Sequence, residues 1–308
     1  MEEQLVSFLT VAAVRRLSPH MVRITFTGKA LGDLACWPDQ QLKLIFPRPG
    51  QSVPRLPVPG KGSDAMRWYQ AYLAIPENER PWLRSYTVRA HHPDRSAIDI
   101  DFVLHGDPHL ESYEQPGRAP DGRGDGLGPA TRWALAAQPG DVIGRYGPSA
   151  DYARPLGAAD WYLLVGDQTA LPAIATLLES LPEGARALAW IEVGEAADEQ
   201  RIDSRAEVSL HWLHRDGTLP GRGGALLEAV RGAEFPAGSA FAWLAGESSE
   251  VRALRRHLVH DRGLGKQSIE FTGYWRLKLS QDDAPTPEDL AEARERLAQA
   301  RAGGAGEG

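Results

Sequence analysis

Near residues 155–160 the sequence changes its pattern, and no single uniform fold accommodates both sides of the change. Before it lie short strand-like runs at 5–16, 21–27, 41–46, 84–90, 97–105 and 141–146. Glycine and proline clusters such as PRPGQSVPRLPVPGKG separate them, and no strong helical period intervenes. After the change, WYLLVG (161–166) is a continuous apolar run, the mark of a strand buried on both faces. Ile174, Leu177, Leu178 and Leu181 then repeat at helical spacing, with Thr169 as a cap and Pro172 in the first turn. Strands at 187–193, 208–214, 239–246 and 268–275 alternate with helices at 224–232 and after Ser248 or Ser249, which supply a cap. The expected fold is therefore two-domain, β plus α/β. A six-stranded antiparallel β-barrel (1–155) precedes a parallel-sheet α/β domain (156–281). Residues 282–308 form a helical extension with a frayed tail: Thr286 caps it, Pro287 opens it, and Leu290, Ala293, Leu297 and Ala300 make a weak stripe for the domain surface or a partner. Segments 47–82, with a short helix near Met66–Ala74, and 106–127 read as loops.

Composition narrows the function. The 308 residues are 42% hydrophobic and 24% charged, enough to fill a core. The net charge of -7 argues against a general nucleic-acid binder but allows a local basic pocket. Cys36 is the only cysteine, which excludes an intramolecular disulfide, a cysteine zinc site and a cysteine-held iron–sulfur cluster. The N-terminus places acidic residues before its apolar run and arginines after it, opposite to a secretory signal. No apolar run approaches the roughly 20 residues of a membrane span. A cytoplasmic protein without membrane insertion is expected.

Six motifs occur in order: RSYTVR (84–89), DFVLHG (101–106), GPATRWALAAQPGDVIGRYGP (128–148), WYLLVGDQTALPAI (161–174), LAGES (244–248) and GYWR (273–276). Each is weak alone; together they resemble the siderophore-interacting protein family, flavin-dependent ferric-siderophore reductases of the ferredoxin-reductase-like superfamily. The resemblance spans about residues 10–276. It implies FAD on the barrel and NADPH or NADH on the α/β domain, with a redox protein as another conceivable donor. Arg84 offers a forked cation for phosphate oxygens, Tyr86 an aromatic face, and Thr87 a hydroxyl or N–H for the ring edge. Ser85 and Arg89 complete that segment, and Asp101, Val103 and His105 lie on the next one against FAD. Gly128, Ala130 and Thr131 open a helix whose free N–H groups suit a pyrophosphate.

The turn after the first parallel strand lacks the G-x-G-x-x-G fingerprint but still stands at the carboxyl end of a strand. There Asp167 and Thr169 either contact the nucleotide or cap the helix, and Ala170 permits close approach. Glu192 ends the next strand, where an acid can bind a ribose, and Glu247 stands in LAGES. Arg201 and Arg205 are available for a 2′-phosphate. Trp275, with Tyr274 second, is the aromatic that covers the flavin ring or a structural residue. Basic residues around the cleft are implied to hold the ferric siderophore: Lys266, Arg276 and Lys278 first, then Arg252, Arg255 and Arg256. The redox step requires no acid, base or nucleophile, and no residue needs to bind metal. His105 and His109, His211 and His214, and His257 and His260 read as incidental pairs. The alternatives are a flavoprotein reductase with another acceptor (quinone, flavin or redox protein) and a non-catalytic siderophore-binding protein.

Overall fold

The structure, a computed structural model, describes residues 6–29, 31–57, 65–104, 127–147, 155–277, 279, 286–288, 290 and 291. The first half contains β1 (Val6–Ser18), β2 (Met21–Thr27), β3 (Gln41–Phe46), α1 (Ala65–Leu73), β4 (Trp82–Thr87), β5 (Ala90–His92), β6 (Ala97–Val103), α2 (Pro129–Ala136) and β7 (Val142–Tyr146). Seven strands form one antiparallel sheet in the order β4-β3-β7-β1-β2-β6-β5. The count exceeds the expected six because the run at 84–90 divides. Val88 N–H donates to the Gln40 carbonyl at 2.8 Å and Arg89 N–H to the Asp99 carbonyl at 2.9 Å. Two residues thus carry the chain from one edge of the sheet to the other, which curls the sheet towards closure.

Alternation along each strand fills the interior. Leu9, Val11, Ile24, Phe26, Leu42, Leu44, Phe46, Ile98, Ile100 and Phe102 are all buried there. From α2, Trp133 enters the same cluster, stacked near Phe26 and edge-on to Phe46 at a centroid distance of 5.5 Å. It is core, and it fixes α2 against the barrel. On the outer face of β3 and β7, Trp68 and Tyr72 of α1 pack with Ile45 and Tyr146.

The second half comprises β8 (Trp161–Asp167), α3 (Leu171–Ser180), β9 (Arg186–Val193), β10 (Glu207–His214), α4 (Ala225–Gly232), β11 (Ala240–Glu247), α5 (Ser248–His260) and β12 (Ile269–Trp275). Its five strands are parallel, in the order β10-β9-β8-β11-β12. Apolar clusters line both faces, one formed with α3 and the other with α4 and α5. The chain leaves central β8 in one direction and later returns to the other side at β11. The switch point, where such sheets open a ligand crevice, lies at the carboxyl ends of β8 and β11.

Three helix starts differ from expectation. Thr131 lies inside α2, buried, while exposed Gly128 is the N-cap. Ala170 precedes α3 with no side-chain cap, because the Thr169 hydroxyl bonds to Asp167 instead. Glu247, rather than Ser248 or Ser249, caps α5; its carboxylate accepts from the Ser249 and Glu250 N–H groups. Most of the expected tail helix lies outside the described residues, but Glu288 and Ala291 line a cavity of about 340 Å³ along α5.

The two sheets are joined by polar side chains. Arg89 makes a two-pronged ion pair with Glu179 of α3, at 3.0 and 2.6 Å. Asp198 accepts from the Ser18 hydroxyl at 2.5 Å and the His20 N–H at 3.0 Å, and pairs with the His20 ring at 2.7 Å. Burial opposes its charge, yet these hydrogen bonds hold its carboxyl below the usual carboxylate range. Met21 of β2 packs into the apolar cluster of the α/β domain.

Candidate functional site

The β3–β4 register sorts the RSYTVR segment by face. Arg84 and Tyr86 stand opposite Leu44 and Leu42; Ser85 and Thr87 stand opposite Lys43 and Gln41. Cross-strand partners share a face, so each pair travels together. Tyr86 lies against Phe102 at 4.4 Å between ring centroids, with Phe46 edge-on. Burial pushes its phenol well above the ordinary range. The Arg84 guanidinium donates to the Leu83 carbonyl. On the other face, Lys43 Nζ donates to the Ser85 hydroxyl at 3.1 Å, and burial lowers the lysine pKa.

α2 packs beside β4 and β6. Its N-cap Gly128 offers no side-chain acceptor, and Pro129 has no N–H, so the N–H groups of Ala130 and Thr131 are the first at that end. A helix packed beside the strand that carries a forked cation and an aromatic ring suits a diphosphate joined to a planar ring system, and FAD has that form. The donor set therefore fits the cofactor.

Three expected cofactor residues have other work in this structure. Arg89 braces Glu179. Both oxygens of buried Asp101 are held by Arg23, at 2.6 and 2.7 Å. Val103 packs against the apolar cluster of the α/β domain. Arg89 and Val103 join the two sheets, and Asp101 is held by its cross-strand neighbour within the barrel sheet. His105 lies outside the described residues.

At the switch point Asp167 is a hub. One oxygen accepts from the Thr169 N–H at 2.8 Å and from its hydroxyl; the other accepts from the Glu247 N–H at 3.0 Å and the Trp275 indole at 2.7 Å. Four donors occupy its acceptor sites, so Asp167 shapes the crevice floor. Ala170 is fully buried under it. Trp275 is therefore tied to the sheet edge by its indole N–H, with its ring against Gly221.

Glu192 is buried with Arg215 at 3.6 Å. Burial raises its pKa; Arg215 opposes that shift and Asp167 adds to it. Glu247 also accepts from the Leu277 N–H at 3.2 Å. Glu250, which sequence reasoning passed over, completes a group of four carboxyls at this edge. Burial first, then Glu192, Asp167 and Glu247, push it up to about 8. Arg201 pairs with Asp203 on the surface.

Tyr274, placed second to Trp275 on sequence, reaches further into the seam. Its hydroxyl accepts from Gln41 Nε2 at 3.0 Å and donates to Asp39 Oδ1 at 3.1 Å, and Thr87 stands across the strand pair from Gln41 on the same face. The end of β4 and the end of β12 therefore meet at Thr87 and Tyr274. Asp39 and Gln41 were not legible as site residues; the only local signal was the turn-like PDQ at 38–40.

The expected basic lining divides. Lys266 precedes β12 and Arg276 follows it, and a seven-residue strand spans roughly 20 Å. Lys266 lies with Arg252, Arg255 and Arg256 along α5, where Arg255 sits over Phe271 at 4.4 Å. Arg276 stays at the crevice end, bridged to Leu279. Lys278 lies outside the described residues. The described histidines hold separate partners: His211 stacks on Trp190, His214 bonds Glu199, and His257 bonds Asp261. His20, Glu195 and Asp198 converge within 4.8 Å, but Asp198 already serves as the acceptor of the seam.

Residues 10–152 match the siderophore-interacting FAD-binding domain and residues 159–278 the siderophore-interacting protein domain. The chain is 31% identical to ferric vibriobactin reductase ViuB of Vibrio cholerae, covering 84% of this chain and 85% of that protein. It is 28% identical to the NADPH-dependent ferric-chelate reductase of Escherichia coli, covering 88% and 92%. A solved siderophore utilization protein from T. fusca superposes with a TM-score of 0.73 at 35% identity, over 90% of this chain and 95% of that one. The chain belongs to the siderophore-interacting protein family, and FAD is its cofactor.

Proposed function

We propose that the protein reduces a ferric siderophore, drawing electrons from NADPH or NADH through FAD and releasing ferrous iron, in the cytoplasm. The observation that carries this reading is the meeting of β4 and β12 at Thr87 and Tyr274. It brings the FAD-matching half to the carboxyl edge of a parallel sheet, where a nucleotide crevice is expected. The names of the Vibrio and Escherichia relatives supply the reaction class. No helix of the described residues is long and apolar enough to cross a membrane.

In this reading residues 1–155 hold FAD, 156–281 hold the nicotinamide nucleotide, and 282–308 are an extension. Arg84 and the α2 N-terminus hold the diphosphate, Tyr86 lies beside the ring, and Thr87 stands at the ring edge. FAD held by these residues would supply the conversion of a two-electron hydride donor into the one-electron transfers that a ferric centre requires. Ferrous iron binds hard oxygen ligands less strongly than ferric iron, so reduction loosens the chelate. Asp167 and Ala170 shape the nucleotide crevice, and Arg276 follows β12 at the crevice end.

Arg84→Ala tests the FAD assignment. Losing a charged hydrogen bond to phosphate should weaken FAD binding by about 1.5–3 kcal/mol, read by fluorescence titration of the apoprotein. Unchanged affinity in a folded variant removes Arg84 from the site.

A further inference from the structure

The seam holds a run of hydrogen-bonding groups that the reductase reading leaves without a task. Thr87 stands across from Gln41 on the same face, Gln41 reaches the Tyr274 hydroxyl, and that hydroxyl donates to Asp39 Oδ1 at 3.1 Å. The other Asp39 oxygen accepts from the Trp243 indole at 3.0 Å. Gln41 Nε2 holds the tyrosine oxygen at 3.0 Å. The Asp39 backbone is in the left-handed region, φ 58°, and its N–H donates to the Thr176 hydroxyl at 3.0 Å. Such sparsely populated conformations persist where surrounding contacts over-determine them, and they concentrate at functional sites. Asp39 is partly exposed as a residue, whereas Thr87 at the other end of the run is buried.

The reaction supplies the task. One NAD(P)H and two ferric ions give NAD(P)⁺, two ferrous ions and one proton. The hydride brings two electrons and a proton into the site; both electrons leave on iron, one at a time, and the proton has to leave by another route. We propose that Thr87, Tyr274 and Asp39 form that exit route. This rests on the reading of Thr87 as the residue at the ring edge. The Thr87 oxygen takes the proton as its own hydroxyl proton passes to Tyr274. The Tyr274 proton passes to Asp39, and Asp39 releases it to water. Each hydroxyl ends with the proton count it began with.

The charge environment suits an acceptor that lets go. Burial pushes the Asp39 carboxyl up to about 6; Trp243, Tyr274 and Gln41 oppose the shift through hydrogen bonds, and Glu270 adds to it. A group with that affinity accepts a proton transiently near neutral pH and returns it. Tyr274 itself is raised well above 10 by burial and by Asp39, so it acts as a conduit and holds no charge.

Two measurements test the route, one without cofactor. Infrared titration of the apoprotein should show a carboxylic C=O band that titrates near pH 6, absent in Asp39→Asn and moved to higher pH in Trp243→Phe, which loses one donor. In the FAD-loaded protein, reduced anaerobically and mixed with a ferric chelate, a pH indicator reads proton release directly. Asp39→Asn and Tyr274→Phe should each slow release on the order of 10²-fold, while Trp243→Phe, which leaves the run intact but tightens the hold of Asp39 on the proton, slows it far less. Wild-type release rates in both Asp39→Asn and Tyr274→Phe overturn the proposal while leaving the reductase reading standing. A wild-type protein that binds FAD but passes no electrons to any ferric chelate overturns both.

Discussion

Glu250 shows how a residue with no motif can dominate its surroundings. It follows the α5 cap, and its carboxyl shares the crevice edge with Glu192, Asp167 and Glu247. Its folded-state pKa, about 8, lies above the ordinary value of 4.5 because burial and like charges disfavour the anion. The folded protein therefore holds this proton more tightly than the unfolded chain. Its stabilising contribution is complete below about pH 4.5 and is lost as pH rises towards about 8, with a slope up to about 1.4 kcal/mol per pH unit. Glu250→Gln should remove that slope, so the variant becomes the more stable protein at about pH 8 and loses its advantage at about pH 5. Urea midpoints at the two pH values check this; parallel curves for wild type and variant would contradict it.

At the scale of elements, the turn from β11 into α5 carries the crevice. Gly246 has φ 145°, and a Cβ there would lie 2.7 Å from Asp167 Oδ2. Gly246→Ala should cost at least roughly 1–3 kcal/mol and loosen the grip of Asp167 on Trp275. Thermal unfolding and tryptophan fluorescence read the two effects, and an unshifted midpoint would contradict the account. The same turn explains which features the sequence made legible. The strands 161–166 and 187–193 could be read because central parallel strands are apolar throughout, and α3 because its stripe repeats at helical spacing. The caps of α3 and α5 misled because Asp167 and Glu247, at the ends of their own strands, outcompete the hydroxyls of Thr169, Ser248 and Ser249. The break at Val88–Arg89 depends on bonds to Gln40 and Asp99, partners distant in the chain. Of the proposed site, Arg84, Tyr86 and Thr87 stand out in the sequence as a motif. Arg89 and Val103 join the seam through Glu179 and the α/β cluster, and Asp101 is held by its cross-strand neighbour Arg23. Asp39 shows only a turn-like PDQ locally; three of its four partners come from α3, β11 and β12.

At the scale of the molecule, function depends on two sheets meeting at one seam. Arg89–Glu179, Ser18 and His20 on Asp198, and Tyr274 with Asp39, Gln41 and Thr87 fix the barrel against the carboxyl edge of the parallel sheet. A planar cofactor held on the barrel can then face a nucleotide on the other side of the seam, and the ferric chelate needs only an open edge. The central claim is that electrons cross this seam to ferric iron. Its most direct measurement uses the FAD-loaded protein under anaerobic conditions, with NADH, then a ferric siderophore and a ferrous trap. The account predicts that NADH bleaches the flavin absorbance, and that the siderophore restores it with two ferrous ions trapped per NADH consumed. Flavin that stays oxidised with either nucleotide, or stays reduced with the siderophore present, would contradict it.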